Sequence, residues 1–242
     1  MKVGYVTDVG KVREINEDSY YVDEEDGLFI VADGMGGHQA GEVASEMAVK
    51  TISSMIKEAI SQKVKDNQVP KVIKKAIGRA NEEIYTKSMR NPDLNGMGTT
   101  VVLALCRNNK IYIAHVGDSR AYLIRKNMIK QLTEDHSVVA NLIKAGEITA
   151  KEARTHHLRH VITRALGTSD NVEIDICSYY WQKGDYFLLC SDGLTDLMED
   201  EEIKGIVLSG GDPQRSCEDL VNLANERGGR DNITVVLIYM DG

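Results

Sequence analysis

Five aspartates in this chain of 242 residues stand where a carboxylate can be presented and held. Asp33 follows the apolar run Leu28-Phe29-Ile30-Val31-Ala32 and opens the stretch Asp33-Gly34-Met35-Gly36-Gly37-His38, with Ala40-Gly41-Glu42 close behind. Asp118 lies in Gly117-Asp118-Ser119-Arg120, Asp192 in Ser191-Asp192-Gly193, Asp231 in Gly228-Gly229-Arg230-Asp231-Asn232, and Asp18 in Arg13-Glu14-Ile15-Asn16-Glu17-Asp18. A single Asp-Gly pair is common in turns and carries little. Here the device repeats: Asp33, Asp118 and Asp192 follow apolar runs directly or within a residue or two, and Asp231 precedes one. Strands of one core end on a shared rim, so these carboxylates can converge, and so much negative charge in one place needs cations. Hard oxygen ligands without a His or Cys cluster suit Mg²⁺ or Mn²⁺ better than Zn²⁺. The residues themselves therefore point to a multi-carboxylate metal site.

Positioning such a site takes a scaffold, and the hydropathy pattern supplies one. Residues 2–9, 19–24 and 28–32 read as strands, the last of them fully buried, and Asp33 then starts a glycine-rich turn into a helix. From Gly41 to about Lys65, apolar residues recur every three to four positions, the face of a long amphipathic helix. Pro70 suits the first position of a second helix, which Asn91-Pro92-Asp93 and Gly96-Met97-Gly98 end. Strands follow at Thr99–Cys106, Lys110–Val116, Ala121–Arg125 and Ile129–Thr133, linked by hairpin turns at Arg107-Asn108-Asn109 and Lys126-Asn127. The polar stretch 134–169, with four histidines, reads as a flap outside the core, centred on 136–168, and not as a second domain. Val172–Tyr180 and Asp185–Cys190 resume the sheet, Asp200–Leu208 and Pro213–Glu226 are amphipathic helices, and Ile233–Tyr239 is a last strand. Runs of strands followed by runs of helix predict an α+β class and one domain over 1–242.

Composition narrows the partners. A hydrophobic content of 42% can fill a sizeable core, and a net charge of -8 argues against nucleic acid or an anionic membrane as the main partner. No stretch has the length of a signal-peptide core, and none approaches the ~20 apolar residues of a membrane helix. Cys106, Cys177, Cys190 and Cys217 are scattered, with Cys106 and Cys190 in apolar runs that suit small buried thiols. A reducing cytoplasm is the expected compartment.

Taken together, Arg13-x-x-Asn16-Glu17-Asp18, Asp33-Gly34-Met35-Gly36-Gly37, Gly98-Thr99-Thr100, Val116-Gly117-Asp118-Ser119-Arg120, Ser191-Asp192-Gly193 and Asp231-Asn232 occur in family order. The chain thereby resembles, over essentially its whole length, the metal-dependent serine/threonine protein phosphatases (PPM family, type 2C), in particular the compact bacterial members. The resemblance implies a four-layer α/β/β/α sandwich of two packed antiparallel sheets flanked by helices. It implies that Asp33 bridges two Mg²⁺ or Mn²⁺ ions, that the Gly34 carbonyl binds one of them, and that Asp192 and Asp231 complete the other ion's site. Asp18 would hold metal-bound water from behind, Asp118 with Asp192 would form a third, weaker metal site, and Arg13 would hold the substrate phosphate. A water shared by two cations ~3.5–4 Å apart would then attack phosphorus in line. The partners implied are phosphorylated proteins, a cognate serine/threonine kinase among them, met by a monomer.

The chain departs from part of the family at Met35, where eukaryotic members carry a His proposed as general acid; His38 is the candidate here, with a metal-bound water as the alternative. His156 and His160 could share a helix face, but they lack the Glu of H-E-x-x-H and a third ligand, so a polar flap surface is the simpler reading. By resemblance the flap borders the active site, so that His160 or Arg154 would touch substrate. Other enzyme classes fail on spacing. A cysteine phosphatase needs C-x₅-R, and the residues six beyond each Cys are Tyr112, Lys183, Asp196 and Leu223. No Lys-Ser/Thr follows the Gly34–Gly41 cluster as a P-loop requires, and Gln39 takes the third glycine position of a dinucleotide fingerprint. A zinc hydrolase would want His or Cys ligands at short spacing, whereas the His cluster is expected to sit away from the Asp set. Two alternatives stay open. One is a phosphatase-like binding module without catalysis, which should lack one or more of the metal aspartates that this chain keeps. The other is a change of substrate, to a small-molecule phosphomonoesterase or a phosphatase specific to one regulatory protein.

Overall fold

The computed structural model describes residues 1–37 and 40–242. Along the chain run β1 (Lys2–Asp8), β2 (Asp18–Asp23), β3 (Leu28–Met35), α1 (Ala40–Ser61), α2 (Val69–Arg90), β4 (Gly98–Thr99), β5 (Val101–Arg107), β6 (Lys110–Val116), β7 (Arg120–Arg125) and β8 (Met128–Gln131). They are followed by α3 (Val138–Lys144), α4 (Ala150–Ala153), β9 (Asp175–Tyr180), β10 (Tyr186–Cys190), α5 (Asp192–Thr195), α6 (Asp200–Gly210), α7 (Pro213–Glu226) and β11 (Ile233–Tyr239). One sheet has the order β1-β11-β10-β7-β8 and the other β2-β3-β5-β6-β9, with β4 added beside β3. Every pairing is antiparallel.

Side-chain alternation along each strand builds three apolar layers. Phe29 and Val31 of β3 meet Phe187, Leu189, Val236 and Ile238 of the other sheet in the layer between the sheets. Leu28, Ile30 and Ala32 point the other way, onto Ala44, Ile52, Ile73 and Ile77 of α1 and α2. On the far side, Leu188, Val235 and Leu237 pack under Ile203, Leu220 and Ala224 of α6 and α7. The result is the expected α/β/β/α sandwich. Cys190 is buried and Cys106 half-buried; burial pushes the Cys190 thiol up to about 12, which keeps it protonated and inert.

Several boundaries differ from the sequence reading. β3 does not end at Ala32: Gly34 and Met35 find partners in Thr99 and Gly98, so Asp33 sits inside a strand and not at the start of a turn. The strand expected over 99–106 breaks at Thr100, whose backbone N–H and the Thr99 hydroxyl both turn to the Asp33 carbonyl, each at 2.8 Å. α1 stops at Ser61, not near Lys65, because Lys63 turns left-handed at φ 55°. β9 starts at Asp175 and not at Val172, its ladder with β6 opening at the His115–Asp175 pair. The flap is an excursion only in its middle. His136, Ser137, Ala165 and Leu166 at its two ends are buried, and Leu166 bridges to Thr99. No helix among the described residues is long and apolar enough to cross a membrane.

Candidate active site

The rim begins with a cross-strand pair. In the β2–β3 ladder Asp18 lies directly opposite Asp33. Two like charges so placed repel, so the arrangement needs a reason beyond folding. Period-two alternation puts Asp33 on the face of Phe29 and Val31, and Asp18 on the face of Tyr20 and Val22, so both open into the end of the inter-sheet space. The backbone of Asp33 is clamped: its N–H donates to Thr100 Oγ1 at 3.0 Å, while its carbonyl accepts from Thr99 Oγ1 and from the Thr100 N–H. Glycine at 34 is a packing requirement, since a Cβ there would lie 2.1 Å from the Gly41 carbonyl oxygen at the start of α1.

The second sheet brings the other carboxylates. Ser191, past the end of β10, donates its hydroxyl to Asp18 Oδ2 at 2.8 Å and accepts the Thr234 N–H at 2.9 Å, tying the two sheets together at this rim. Asp192 opens α5, a single helical turn the sequence reading did not include. A Cβ at Gly193 would lie 2.0 Å from the Asn232 carbonyl oxygen, so glycine is what lets Asp192 and Asp231 share one place. The Asn232 side chain donates to Val9 O at 2.9 Å and Ile15 O at 3.0 Å and accepts the Glu17 N–H at 2.8 Å. It thereby shapes the 9–17 loop that carries Arg13. Arg13 Nη2 reaches Asp231 Oδ2 at 2.8 Å, while 47% of its side chain stays open to solvent.

Asp33, Gly34, Asp118, Asp192, Asp231 and Arg13 line one cavity of about 780 Å³, with His160 and Arg154 of the flap across from them. Asp18 stands behind it, buried, as the second sheet's Ser191 dictates. His38 lies outside the described residues. His156 and His160 do not share a helix: the chain turns after Ala153, and the rings of His156 and His157 sit 4.4 Å apart. Nor do the flap histidines all keep away from the aspartates, because His160 Nδ1 lies 3.2 Å from Asp196 Oδ2. The sequence reading missed Glu17, Asp196, Arg159 and Arg230 on this wall. The signals were present: Glu17 adjoins Asp18, and Asp196 follows Asp192 by four, one helical turn on.

Burial, then the charges of Asp18, Asp192, Asp118 and Asp231, hold the Asp33 carboxyl well above the usual carboxylate range. Asp192 is raised by burial first, then by the charges of Asp118, Asp196, Asp231 and Asp18. Burial lifts Asp18 to about 6 despite the hydrogen bond from Ser191, and lifts Asp118, beside Asp135, to about 6 as well. At Arg13 burial works against the charge, but Asp231, Glu17 and Asp33 outweigh it and raise the guanidinium. Asp18 Oδ1, Asp192 Oδ1 and Glu17 Oε1 are buried without a hydrogen-bond partner. Buried carboxylate oxygens left unpaired beside a cavity lined by further carboxylates are what a site for hard divalent cations provides. The donor set fits Mg²⁺ or Mn²⁺.

Comparison with known proteins agrees with this geometry. Residues 11–237 match the family model described as protein phosphatase 2C. A serine/threonine phosphatase of Listeria monocytogenes is 41% identical over 244 residues, covering 100% of this chain and 96% of its own. The crystal structure of the Mycobacterium tuberculosis serine/threonine phosphatase PstP/Ppp superposes with a TM-score of 0.90 at 36% identity, covering 100% of this chain and 99% of that one. The catalytic domain of the serine/threonine protein phosphatase PstP in complex with two manganese ions superposes with a TM-score of 0.87 at 36% identity, over 98% of this chain and 96% of that one.

Proposed function

The chain belongs to the protein phosphatase 2C family, and from that premise we propose that it is a metal-dependent serine/threonine phosphatase that hydrolyses phosphoserine and phosphothreonine in proteins at this rim. The observation that carries the reading is the convergence of Asp33, Asp192 and Asp231 from both sheets on one cavity, with Asp18 buried behind it and oxygens of Asp18 and Asp192 left unpaired. Asp33, the Gly34 carbonyl, Asp192 and Asp231 would hold two divalent ions, Mg²⁺ or Mn²⁺, and Asp118 with Asp192 a third. When bound, such ions supply positive charge for the phosphoryl oxygens and make a shared water acidic enough to serve as hydroxide near neutral pH.

The remaining steps belong to the chain's own residues. Arg13, exposed on one side and anchored to Asp231 on the other, presents a planar fork that can engage two phosphate oxygens. Asp18 accepts protons and hydrogen bonds behind the reacting centre and is itself oriented by Ser191. The clamp of Thr99 and Thr100 on the Asp33 backbone fixes the point from which its carboxylate projects before substrate arrives, which limits reorganisation during reaction. His38 is assigned from sequence as proton donor to the leaving alkoxide, and His160 and Arg154 as contacts to the substrate from the flap. The 242 residues act as one catalytic domain, a cytoplasmic monomer whose phosphoprotein substrates include a cognate kinase.

Hydrolysis of a phosphothreonine peptide with Mn²⁺ and with EDTA, for wild type and Asp192→Asn, tests the reading. Activity lost in EDTA and in the variant supports it. Full activity in EDTA overturns it, and inactivity in a Mn²⁺-binding wild type points to a narrow substrate or to a binding module.

A further inference from the structure

Away from the rim, a second buried polar group joins the flap to the segment that carries Asp118. His136 is buried where the flap begins. Its N–H donates to the Gly117 carbonyl at 3.0 Å, and its Nδ1 accepts the Gly117 N–H at 3.1 Å. Its carbonyl accepts from the Thr163 N–H at 2.7 Å, where the flap returns. One residue thus grips Gly117 from both sides and holds both ends of the flap. Gly117 itself is at φ 106°, and a Cβ there would lie 2.6 Å from the Thr100 side chain, so this backbone has nowhere else to go. The residue it delivers is Asp118.

The grip requires one tautomer. A backbone N–H can only donate, so Nδ1 must present its lone pair, and Nε2 must carry the proton. Asp175 at the start of β9 selects that form by accepting from Nε2 at 3.1 Å. His115 stacks on the ring, centroids 4.6 Å apart, and is itself fixed by its Nε2 donating to the Glu134 carbonyl at 2.8 Å. His115, His136 and Asp175 offer atoms within 4.8 Å of one another, as a metal site would. Both His136 nitrogens are engaged, however, by Gly117 and Asp175. Arg164 Nη1, which can only donate, lies 3.2 Å from Nε2 without a hydrogen bond to it in this tautomer and 3.6 Å from Asp175 Oδ1, so a guanidinium already stands where a cation would go.

We infer that His136, held by Asp175 in the Nε2–H tautomer, is a positioning residue that fixes the Gly117–Asp118 backbone and couples it to the flap. The inference rests on the reading of Asp118 as part of the cation-holding set. Its logic is that of outer groups that orient a ligand residue, whose loss typically lowers activity by about 10-fold to 100-fold.

Two substitutions separate the contacts. In His136→Asn the amide oxygen falls near Nδ1 and keeps the Gly117 acceptor, while Asp175, open to solvent, loses little. In His136→Gln the amide reaches towards Asp175 and leaves the buried Gly117 N–H without a partner. On a phosphothreonine peptide with Mn²⁺, His136→Gln should lose about tenfold or more in kcat with KM little changed, and His136→Asn should stay within about threefold. In metal-free, ¹⁵N-labelled protein, the His136 ring should show an unprotonated Nδ1, and the Gly117 amide resonance should move in His136→Gln but not in His136→Asn. A ring protonated at Nδ1, equal impairment of the two variants, or a folded His136→Gln with wild-type kcat would overturn the inference. Asp118→Asn is the control: if it is fully active while His136→Gln is impaired with a shifted Gly117 amide, the assignment of Asp118 falls and that of His136 stands.

Discussion

Replacing Asp18 by Asn should make the metal-free protein more stable, by a margin that opens above about pH 4 and is complete above about pH 6. Asp18 is buried, faces Asp33 across the ladder, and in the folded chain holds its proton up to about 6, against an ordinary 3.8. Between those values the folded state binds more protons than the unfolded one, so stability falls as pH rises and the loss is complete above the folded value. The interval corresponds to about 3 kcal/mol. Asn keeps an oxygen for the Ser191 hydroxyl and replaces the unpaired carboxylate oxygen with an amide that faces the remaining carboxylates. In EDTA, wild type and variant should therefore unfold alike near pH 4. Near pH 7.5 the variant should melt roughly 6–12 °C higher, taking about 2–4 °C per kcal/mol for a chain of this size. Comparing the two proteins at each pH cancels the other titrating groups, such as His115, whose depressed value works in the opposite direction. Calorimetry at several pH values with EDTA, then with Mn²⁺, is the assay. An identical gap at pH 5 and 7.5, or no gap, refutes the argument that Asp18 is held against its own repulsion.

Three further outcomes follow from the same geometry. Arg13→Lys should lower kcat/KM on a phosphothreonine peptide by about 100-fold, the scale of losing one transition-state donor, while leaving the melting temperature nearly unchanged because the Arg13 ion pair is largely exposed. Gly193→Ala should destabilise by on the order of 3 kcal/mol in denaturant unfolding, since its Cβ would meet the Asn232 carbonyl and backbone must move. Asn232→Ala leaves the Val9 and Ile15 carbonyls and the Glu17 N–H unpaired, so it should lose about 3 kcal/mol and also raise KM by freeing the loop of Arg13; an unchanged KM in a folded variant would deny the loop that role.

Where periodicity and capping agreed, the sequence was enough. α7 occupies the expected Pro213–Glu226, its first turn capped by Asp212, and β11 occupies the expected Ile233–Tyr239. Both hairpin turns stand where the sequence placed them, at Asn108-Asn109 and Lys126-Asn127, with Asn108 and Lys126 at positive φ. The candidate site was legible as a set of aspartates because each lies beside an apolar run whose strand end the fold gathers on one rim. What pattern could not give was contact between segments distant in sequence. β3 runs on through Asp33 because Gly98 and Thr99, some 65 residues later, offer it partners. α5 is too short for periodicity to register. The flap looked external because its histidines and charges are polar, yet His136 is satisfied inside by Gly117 and Asp175.

These misreadings share a location, and a physical cause explains it. Around Asp33 the chain breaks local preferences: like charges sit opposite each other, a strand splits at Thr100, and glycines at 34 and 193 admit backbone contacts no side chain would allow. Each departure lowers stability, and the apolar layers of the sandwich offset it from a distance. The offset can work only if the strained residues are rigidly held, since a flexible rim would relax by swinging its carboxylates into water. Ser191 bridging Asp18 to Thr234, Asn232 fixing the loop of Arg13, and the threonines on Asp33 are the bonds that deny that escape. A set of carboxylates kept close against repulsion binds divalent cations more tightly than a relaxed set, because the energy of bringing the charges together is already spent in folding. By the same argument, substitutions that loosen these bonds should weaken cation binding more than they weaken the fold.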